Sequence, residues 1–291
     1  VLGGALTALV TPMRPDGELD RPALARLARW QLDQGIDGLV PCGTTGEAAT
    51  LDDDEKAAVI ETVVEVAGGR VPVVAGCGSN STRQTVHSAR RAAAAGANAL
   101  LVVSPYYNKP NRSGMIAHYR AVAEATDLPV MVYNVPGRTG QDLGADLILE
   151  LAEIDGISSV KEASADLDQI ATILASRPPG FGVFSGDDSL ALPTVALGAD
   201  GVVSVAGNEA PGPMAAMVDA ALGGDLAHAR ELHFRLLPLM RANFLESNPV
   251  PVKTALGLLG RCREDVRAPL GAPTDATRRA IGDALAAAGI A

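Results

Sequence analysis

Runs of apolar residues alternate with amphipathic segments along most of the chain. Eight short runs are rich in Val, Leu and Ala and carry few polar residues, which is typical of parallel strands covered on both faces. The predicted strands are Ala5–Thr11, Gly38–Cys42, Val71–Ala75, Ala99–Ser104, Pro129–Asn134, Ser158–Lys161, Phe181–Ser185 and Gly201–Val205. The pattern predicts eight units, each a strand followed by a helix.

The segments between these runs carry signals that begin and end helices. Asp20 is a predicted N-cap, Pro22 lies in the first turn after it, and Gly35 is predicted to end that helix. The segment after Leu51 opens with a run of acids, which complements a helix dipole, and closes on a Gly-Gly pair. Helices are therefore predicted between the strands.

Eight such units over roughly 220 residues match the size of a (β/α)8 barrel, an α/β fold also called a TIM barrel. An open doubly wound sheet is the alternative, but it usually has fewer strands and a Gly-rich turn after the first one. The segment after the first predicted strand, TPMRPDGELD, contains one Gly, which favours the barrel. We expect a barrel domain over residues 1–224 and a C-terminal helical domain over 225–291, with helices near Asp225–Asn243, Val250–Leu259 and Thr274–Ala288.

Composition narrows the class of protein. Of the 291 residues, 47% are hydrophobic, yet no uninterrupted apolar segment approaches the ~20 residues of a membrane span. The opening residues lack the basic lead of a secretory signal and are expected to form a strand. A formal net charge of −10 disfavours binding to nucleic acid or anionic membranes. Three widely spaced Cys suit a reducing compartment, so we expect a cytoplasmic protein.

Lys161 stands out because it ends the sixth predicted strand, where an apolar residue is expected. Catalytic groups of (β/α)8 barrels lie at the carboxyl ends of the strands. The chain has only four Lys against 20 Arg, so a Lys inside a strand is less easily incidental. An amine in an apolar pocket loses hydration, which favours its neutral, nucleophilic form, and such an amine forms imines with carbonyl compounds. The alternative is a structural lysine paired with a carboxylate such as Glu162, and position alone leaves both open.

Other polar residues fall at the same predicted edge. Tyr133 and Tyr107 could relay protons or simply pack with their hydroxyls in water. The GTTGE turn, with Thr44 and Thr45, could hold a carboxylate through its backbone N–H groups and hydroxyls. Arg138 could bind a second carboxylate through its planar guanidinium. Taken one at a time, each residue also fits an ordinary structural or surface role.

Other classes of chemistry find less support. The four His are scattered along the chain, so no metal site is predicted. Asp187 and Asp188 follow the seventh strand, where a phosphate-binding barrel would place a Gly-rich amide cradle, and they repel phosphate. The GCGSNS segment lacks the third Gly of a dinucleotide-binding fingerprint. A non-catalytic small-molecule sensor on the same scaffold would bind without turnover.

Five motifs together resemble one known family. GTTGEAATL, SPYYNKP, YNVPGRTG, VKEAS and SGDDS are similar, in order and spacing, to the dihydrodipicolinate synthase family, relatives of the N-acetylneuraminate lyases. The similarity runs from about Leu2 past Val205 and resumes over Phe244–Leu256. The resemblance implies a (β/α)8 barrel with a C-terminal helical domain and a homotetramer built as a pair of dimers.

The resemblance also implies catalytic roles. Lys161 would form a Schiff base with pyruvate, and no other cofactor is expected. Tyr133, Thr44 and Tyr107 would form a proton relay, with Tyr107 reaching into the site of a partner subunit. The enzyme would condense pyruvate with L-aspartate 4-semialdehyde to 4-hydroxy-tetrahydrodipicolinate, a step of diaminopimelate and lysine biosynthesis.

Four substrate-binding positions follow from the same resemblance. Thr45 would hold the pyruvate carboxylate, Arg138 the carboxylate of the aldehyde, and Val203 and Gly186 would offer backbone groups near the site. The alternative is another pyruvate-dependent class I aldolase, either a 2-keto-3-deoxy sugar acid aldolase or an N-acetylneuraminate lyase, because these share the lysine, the tyrosine and the turn. Arg138 favours the synthase over the neuraminate lyases, which typically lack an arginine there, whereas some sugar acid aldolases of the superfamily are closer to this chain.

The resemblance breaks at the positions where family members bind lysine as a feedback inhibitor. Those positions are Ala49, Lys56, Asn80, Gln84 and Tyr106 in this chain. Lysine-inhibited members usually carry an acid matching Gln84 and His or Glu matching Lys56. Gln84 is neutral and Lys56 would repel a cationic effector, so we expect weak or absent inhibition by lysine.

Overall fold

A single sheet contains eight parallel strands, and in space it runs from the second strand through the first and the eighth down to the third. The structure is a computed structural model that describes residues 2–290; Val1 and Ala291, which fall within the predicted domain bounds, lie outside the described residues. A parallel bridge between Leu39 of the second strand and Val73, next to the third strand, joins the two ends of the sheet. The predicted (β/α)8 barrel is confirmed.

All eight predicted strands are present, each with slightly different bounds. They are β1 Gly4–Ala8, β2 Gly38–Val40, β3 Val74–Gly76, β4 Ala99–Val103, β5 Val130–Asn134, β6 Ile157–Glu162, β7 Gly182–Ser185 and β8 Gly201–Ser204. The largest shifts are at β1, which ends at Ala8 rather than Thr11, and at β3, which begins at Val74 rather than Val71. Proline has no N–H to donate to a neighbouring strand, and Pro72 contributes only its carbonyl, which accepts from Leu39 N at 3.0 Å.

Helices cover the outside of the barrel. They are α1 Arg21–Asp33, α2 Asp53–Ala67, α3 Thr82–Ala94, α4 Arg112–Ala123, α5 Pro136–Thr139, α6 Gly144–Ala152, α7 Leu167–Ser176, α8 Ala191–Ala196 and α9 Pro211–Leu222. Asp20 caps α1 by accepting from Ala23 N at 2.9 Å, as predicted. Asp52 and Glu55 form a reciprocal capping box at the start of α2. Among the described residues, no helix combines the length and apolarity needed to cross a membrane.

The strands separate two apolar layers, one outside the barrel wall and one inside it. One lies between strands and helices, and the other fills the barrel with inward side chains such as Leu6, Leu101 and Phe184. Successive residues of a strand face opposite sides of a sheet. Lys161 and Glu162 at the end of β6 therefore belong to different layers.

Three further helices follow the barrel, close to the predicted bounds: α10 Leu226–Ala242, α11 Val250–Leu258 and α12 Asp275–Ala287. Helix α10 packs against α9 and α8, and α12 packs against both α10 and α11. The C-terminal part therefore lies directly against the barrel. The division into two domains at residue 224 stays a prediction.

Candidate active site

The register of β5 and β6 places Tyr133 beside Lys161 at the carboxyl end of the barrel. Both side chains are buried, and 5% of Lys161 remains accessible. The Lys161 ammonium nitrogen lies 4.3 Å from the centroid of the Tyr133 ring. The electron-rich face of an aromatic ring attracts a cation, so this contact positions the lysine without neutralising it with a carboxylate.

Glu162 points away from Lys161 and has partners of its own. Its two carboxylate oxygens accept from Asn134 Nδ2 at 3.0 Å, and one of them also accepts from Ser164 N at 2.8 Å. Burial raises the pKa of the Glu162 carboxyl, whereas these hydrogen bonds oppose the rise. Within residues 2–290, Lys161 forms no ion pair with Glu162 or with any other acid. The alternative of a structural Lys161–Glu162 pair is therefore wrong.

Gly186, after β7, lies directly against the lysine side chain. A Cβ at this position would lie 2.6 Å from the Cβ of Ala163 and 3.2 Å from Cε of Lys161. Any larger residue would have to displace one of them. The close approach explains why glycine stands at one of the predicted substrate-binding positions.

Two acids follow Gly186 and lie near Lys161. Burial raises the pKa of Asp187 and of Asp188, and the charge of Lys161 works against the rise in both cases. Asp188 accepts from Val205 N at 3.0 Å and from Ala206 N at 2.8 Å. These bonds fix the backbone that leaves β8, directly after Val203, whose side chain is buried in the barrel interior.

A cavity of about 450 Å³ opens at the carboxyl end of the strands. Three of the predicted site residues line it: Thr44, Tyr133 and Arg138. Lys161 and Thr45 do not line the cavity, although each touches a residue that does. A small ligand in the cavity would thus contact Tyr133, against whose ring the lysine nitrogen lies.

Thr45 and Arg138 converge on one residue of the C-terminal part. Thr45 is buried, and its hydroxyl oxygen accepts from Asn248 Nδ2 at 2.9 Å. Because the oxygen acts as acceptor in that bond, the Thr45 hydroxyl hydrogen stays available for a ligand. Arg138 is exposed at the cavity edge, and its Nη2 donates to the Asn248 carbonyl oxygen at 3.4 Å.

Tyr107 does not join the other predicted relay residues within this chain. Its side chain is 90% exposed, and its φ of 74° lies in the left-handed region that few non-glycine residues adopt. The neighbouring Tyr106 lines the cavity instead. The predicted reach of Tyr107 into a partner subunit stays a prediction.

The predicted effector positions lie mostly on the same cavity. Four of the five line it: Ala49, Lys56, Gln84 and Tyr106. The fifth, Asn80, does not line the cavity, and its carbonyl accepts from Asn108 Nδ2 at 2.8 Å. Gln84 donates to Asp53 at 3.1 Å, whereas Lys56 has no ion-pair partner in the part of the chain that the structure describes.

Sequence reasoning missed the far wall of the cavity. The C-terminal part supplies Ser247, Asn248, Pro249, Pro269 and Leu270. It also supplies Lys253, whose ammonium donates to the Glu47 carboxylate in a fully buried ion pair. The scarcity of Lys that drew attention to Lys161 applies equally to Lys253, and this signal could have found it.

Cys42 and Cys77 also line the cavity. Burial raises the pKa of each thiol to about 12, so both stay protonated near neutral pH and are poor nucleophiles. Over residues 2–290, no group of three or more His, Cys, Asp and Glu side chains is arranged to hold a metal ion. The amine of Lys161 lies against the ring of Tyr133, which lines the cavity.

A closed (β/α)8 barrel that holds a buried, unpaired amine beside a phenol has the features of a barrel enzyme that forms imines with carbonyl compounds. The profile of the dihydrodipicolinate synthetase family matches residues 1–288. The chain belongs to this family.

Similar proteins match over nearly the full length. The chain is 48% identical over 288 residues to 4-hydroxy-tetrahydrodipicolinate synthase of Maridesulfovibrio salexigens, covering 99% of this chain and 98% of the relative. The chloride-inhibited dihydrodipicolinate synthase of Acinetobacter baumannii, solved with pyruvate, superposes with a TM-score of 0.98. The two sequences are 41% identical, and the match covers 100% of both chains. The enzyme of Cyanidioschyzon merolae, solved with lysine bound, superposes with a TM-score of 0.96 at 39% identity and 99% coverage of both chains.

Proposed function

We propose that this protein is a lyase that condenses pyruvate with L-aspartate 4-semialdehyde to 4-hydroxy-tetrahydrodipicolinate, in the pathway to diaminopimelate and lysine. Full-length relatives carry the name of this synthase. The observation that carries the proposal is the buried Lys161, which faces the Tyr133 ring and no carboxylate. An amine so placed can attack a carbonyl carbon and form an imine.

Lys161 starts the proposed reaction by attacking the keto carbon of pyruvate. A new C–N bond forms, the keto oxygen leaves as water after two protonations, and a covalent imine remains. Loss of a methyl proton converts the imine to an enamine, whose carbon attacks the aldehyde of the second substrate. The amino group of that substrate then attacks the imine carbon and releases Lys161, which closes the ring. The chemistry needs no cofactor, because the substrate pyruvate is itself bonded to Lys161 during the reaction.

Tyr133, Thr44 and a partner's Tyr107 would move the protons in these steps. The Tyr133 ring already contacts the lysine nitrogen, and Thr44 lines the same cavity. A phenol can give a proton to the departing oxygen and take one back from water, as a general acid–base group does. The exposed Tyr107 suits a residue that completes the site of a neighbouring subunit, and we propose a homotetramer of two such dimers.

Both substrates carry carboxylates, and the cavity offers a separate group for each. Thr44 and Thr45 in the GTTGE turn would hold the pyruvate carboxylate, and the exposed guanidinium of Arg138 would hold that of the aldehyde. Val203 and Gly186 would supply backbone groups near the reacting carbon. Arg138 at the cavity edge favours a carboxylate-bearing aldehyde over a sugar.

Two steps test the proposal. Pyruvate and borohydride together should attach a carboxyethyl group to Lys161, which mass spectrometry of peptides would locate. In a separate sample without borohydride, pyruvate and L-aspartate 4-semialdehyde should give the cyclised product. An adduct on Lys161 without cyclised product would point to another pyruvate-dependent aldolase, whereas absence of any adduct would contradict the mechanism.

We further propose that lysine is a weak inhibitor or none at all. Lys56 lines the cavity where an effector would bind, and its positive charge opposes a cationic ligand. Initial rates should therefore change little in the presence of millimolar lysine. Strong inhibition at submillimolar lysine would contradict this expectation, and the variant Lys56→Glu is expected to increase sensitivity to lysine.

A further inference from the structure

A buried ion pair joins the C-terminal part to the turn that carries Thr44 and Thr45. The side chains of Lys253 and Glu47 are 0% and 1% exposed, and the Lys253 ammonium donates to the Glu47 carboxylate. Glu47 has a φ of 56°, in the left-handed region that a non-glycine residue holds only where its surroundings impose it. The pair therefore fixes a strained residue two positions after Thr45.

Three more hydrogen bonds hold the same turn against the same part of the chain. Glu47 accepts from Arg267 N at 2.8 Å, the Arg267 guanidinium donates to Thr50 O at 2.7 Å, and Asn248 Nδ2 donates to Thr45 at 2.9 Å. The partners are 203 to 220 residues apart in sequence. The shape of the turn thus depends on a segment far along the chain.

We propose that the Glu47–Lys253 pair is a positioning element for pyruvate, a role that rests on the function proposed above. The Glu47 carboxylate already accepts hydrogen bonds from Lys253 and from the Arg267 amide, so it is not free to contact the substrate. The pair therefore acts indirectly, through the positions of Thr44 and Thr45. Without it, the turn would lose the conformation in which two hydroxyls and adjacent N–H groups meet a carboxylate. Displacement of a positioning group by about 1 Å can cost about 100-fold in rate.

The double variant Glu47→Gln/Lys253→Met tests this role, because it removes both charges and leaves neither stranded in the interior. The KM for pyruvate should rise about tenfold or more, and borohydride inactivation at low pyruvate should slow by a similar factor. The kcat at saturating pyruvate should fall much less. A folded double variant with an unchanged KM for pyruvate would overturn the role.

A matched control removes an ion pair at the opposite end of the barrel. Arg177 and Asp200 pair just before β7 and β8 begin, away from the cavity. The variant Arg177→Met/Asp200→Asn should lower the melting temperature and leave the KM for pyruvate unchanged. An equal rise of KM in both double variants would mean that the Glu47–Lys253 pair serves stability alone, which overturns the proposal.

Three further outcomes can be told apart. If the double variant does not fold, Glu47→Asp alone, which keeps both charges and shortens the side chain that joins them, should still raise the KM for pyruvate, and an unchanged KM would overturn the role. If the unaltered protein forms no pyruvate adduct, the proposed function fails and this role falls with it. If the unaltered protein forms the adduct and only the KM change is missing, the positioning role alone is wrong.

Discussion

Two of the four lysines are buried, and they differ in what faces the ammonium group. Lys253 is 0% exposed, pairs with the Glu47 carboxylate and also donates to the Asp265 carbonyl oxygen at 2.6 Å. Lys161 is 5% exposed and faces the Tyr133 ring, with no acid paired to it within residues 2–290. Burial is common to both lysines, so burial alone does not identify the reactive one.

The carboxylate decides what each lysine can do. Burial lowers the pKa of Lys253, and the charge of Glu47 and its hydrogen bond oppose the decrease. A paired ammonium has no lone pair to give to a carbonyl carbon. Lys161 is not tied to a carboxylate in this way, and such an amine can attack a carbonyl carbon. The comparison predicts chemistry at Lys161 and stability at Lys253.

Replacing Lys161 by Met should have the largest effect on activity. Turnover should fall about 10⁴-fold or more, because no other group at this position can form the imine. The melting temperature should stay close to that of the unaltered protein, since no ion pair is broken. The control Arg235→Met removes an exposed charge on α10 and should change neither quantity. Undiminished turnover of Lys161→Met would contradict the assignment.

Replacing Lys253 by Met should act mainly on stability. Loss of one partner leaves the Glu47 charge buried and unpaired, which costs about 3–5 kcal/mol of unfolding free energy. Urea unfolding followed by circular dichroism would measure the loss. Adding Glu47→Gln should restore part of it, and a Lys253→Met protein as stable as the unaltered one would refute the pairing.

Tyr133→Phe separates the phenol from the ring. The ring would still face Lys161, but the proton relay would lose its hydroxyl, so turnover should fall about 100-fold. The adduct should still form on Lys161, only more slowly. The matched control is Tyr119→Phe, which removes a buried hydroxyl that donates to Val102 O at 3.0 Å, outside the cavity. Equal losses of turnover in the two variants would contradict the relay.

The smallest effect is expected at His118 and concerns the pH dependence of unfolding. It tests how burial without an acidic partner affects a basic side chain. Burial lowers the pKa of His118 to about 4 from an ordinary value of 6.5, and no acid is paired with it in the described structure. Between pH 6.5 and pH 4, His118 binds a proton in the unfolded chain but not in the folded chain. The contribution of His118 to the free energy of unfolding is therefore fully present above pH 6.5 and is lost as the pH falls toward 4.

The loss attributed to His118 should reach about 2 kcal/mol at pH 5. Unfolding free energies at pH 5 and pH 7 would measure it, and His118→Gln should remove this part of the pH dependence. A variant that keeps the full pH dependence would show that other groups cause it. Such a result would mean that the burial of His118 without an acidic partner does not explain the pH dependence.

Local patterns predicted the barrel and Lys161 but not the surroundings of Lys253. Parallel strands buried on both faces leave apolar runs, and a cation at the end of one run is visible in the sequence. The contacts of Lys253 with Glu47 and of Asn248 with Thr45 join positions more than 200 residues apart, and no periodicity reports such pairs. The outward direction of Tyr107 depends on its left-handed backbone, which its residue type does not indicate.

One measurement tests the central claim most directly. The protein would be incubated with pyruvate, reduced with borohydride, digested and mapped by mass spectrometry. A single carboxyethyl group on the peptide that contains Lys161, with Lys253 unmodified, is the result expected from their different partners. No adduct, or an adduct on Lys253 or another lysine, would contradict the account.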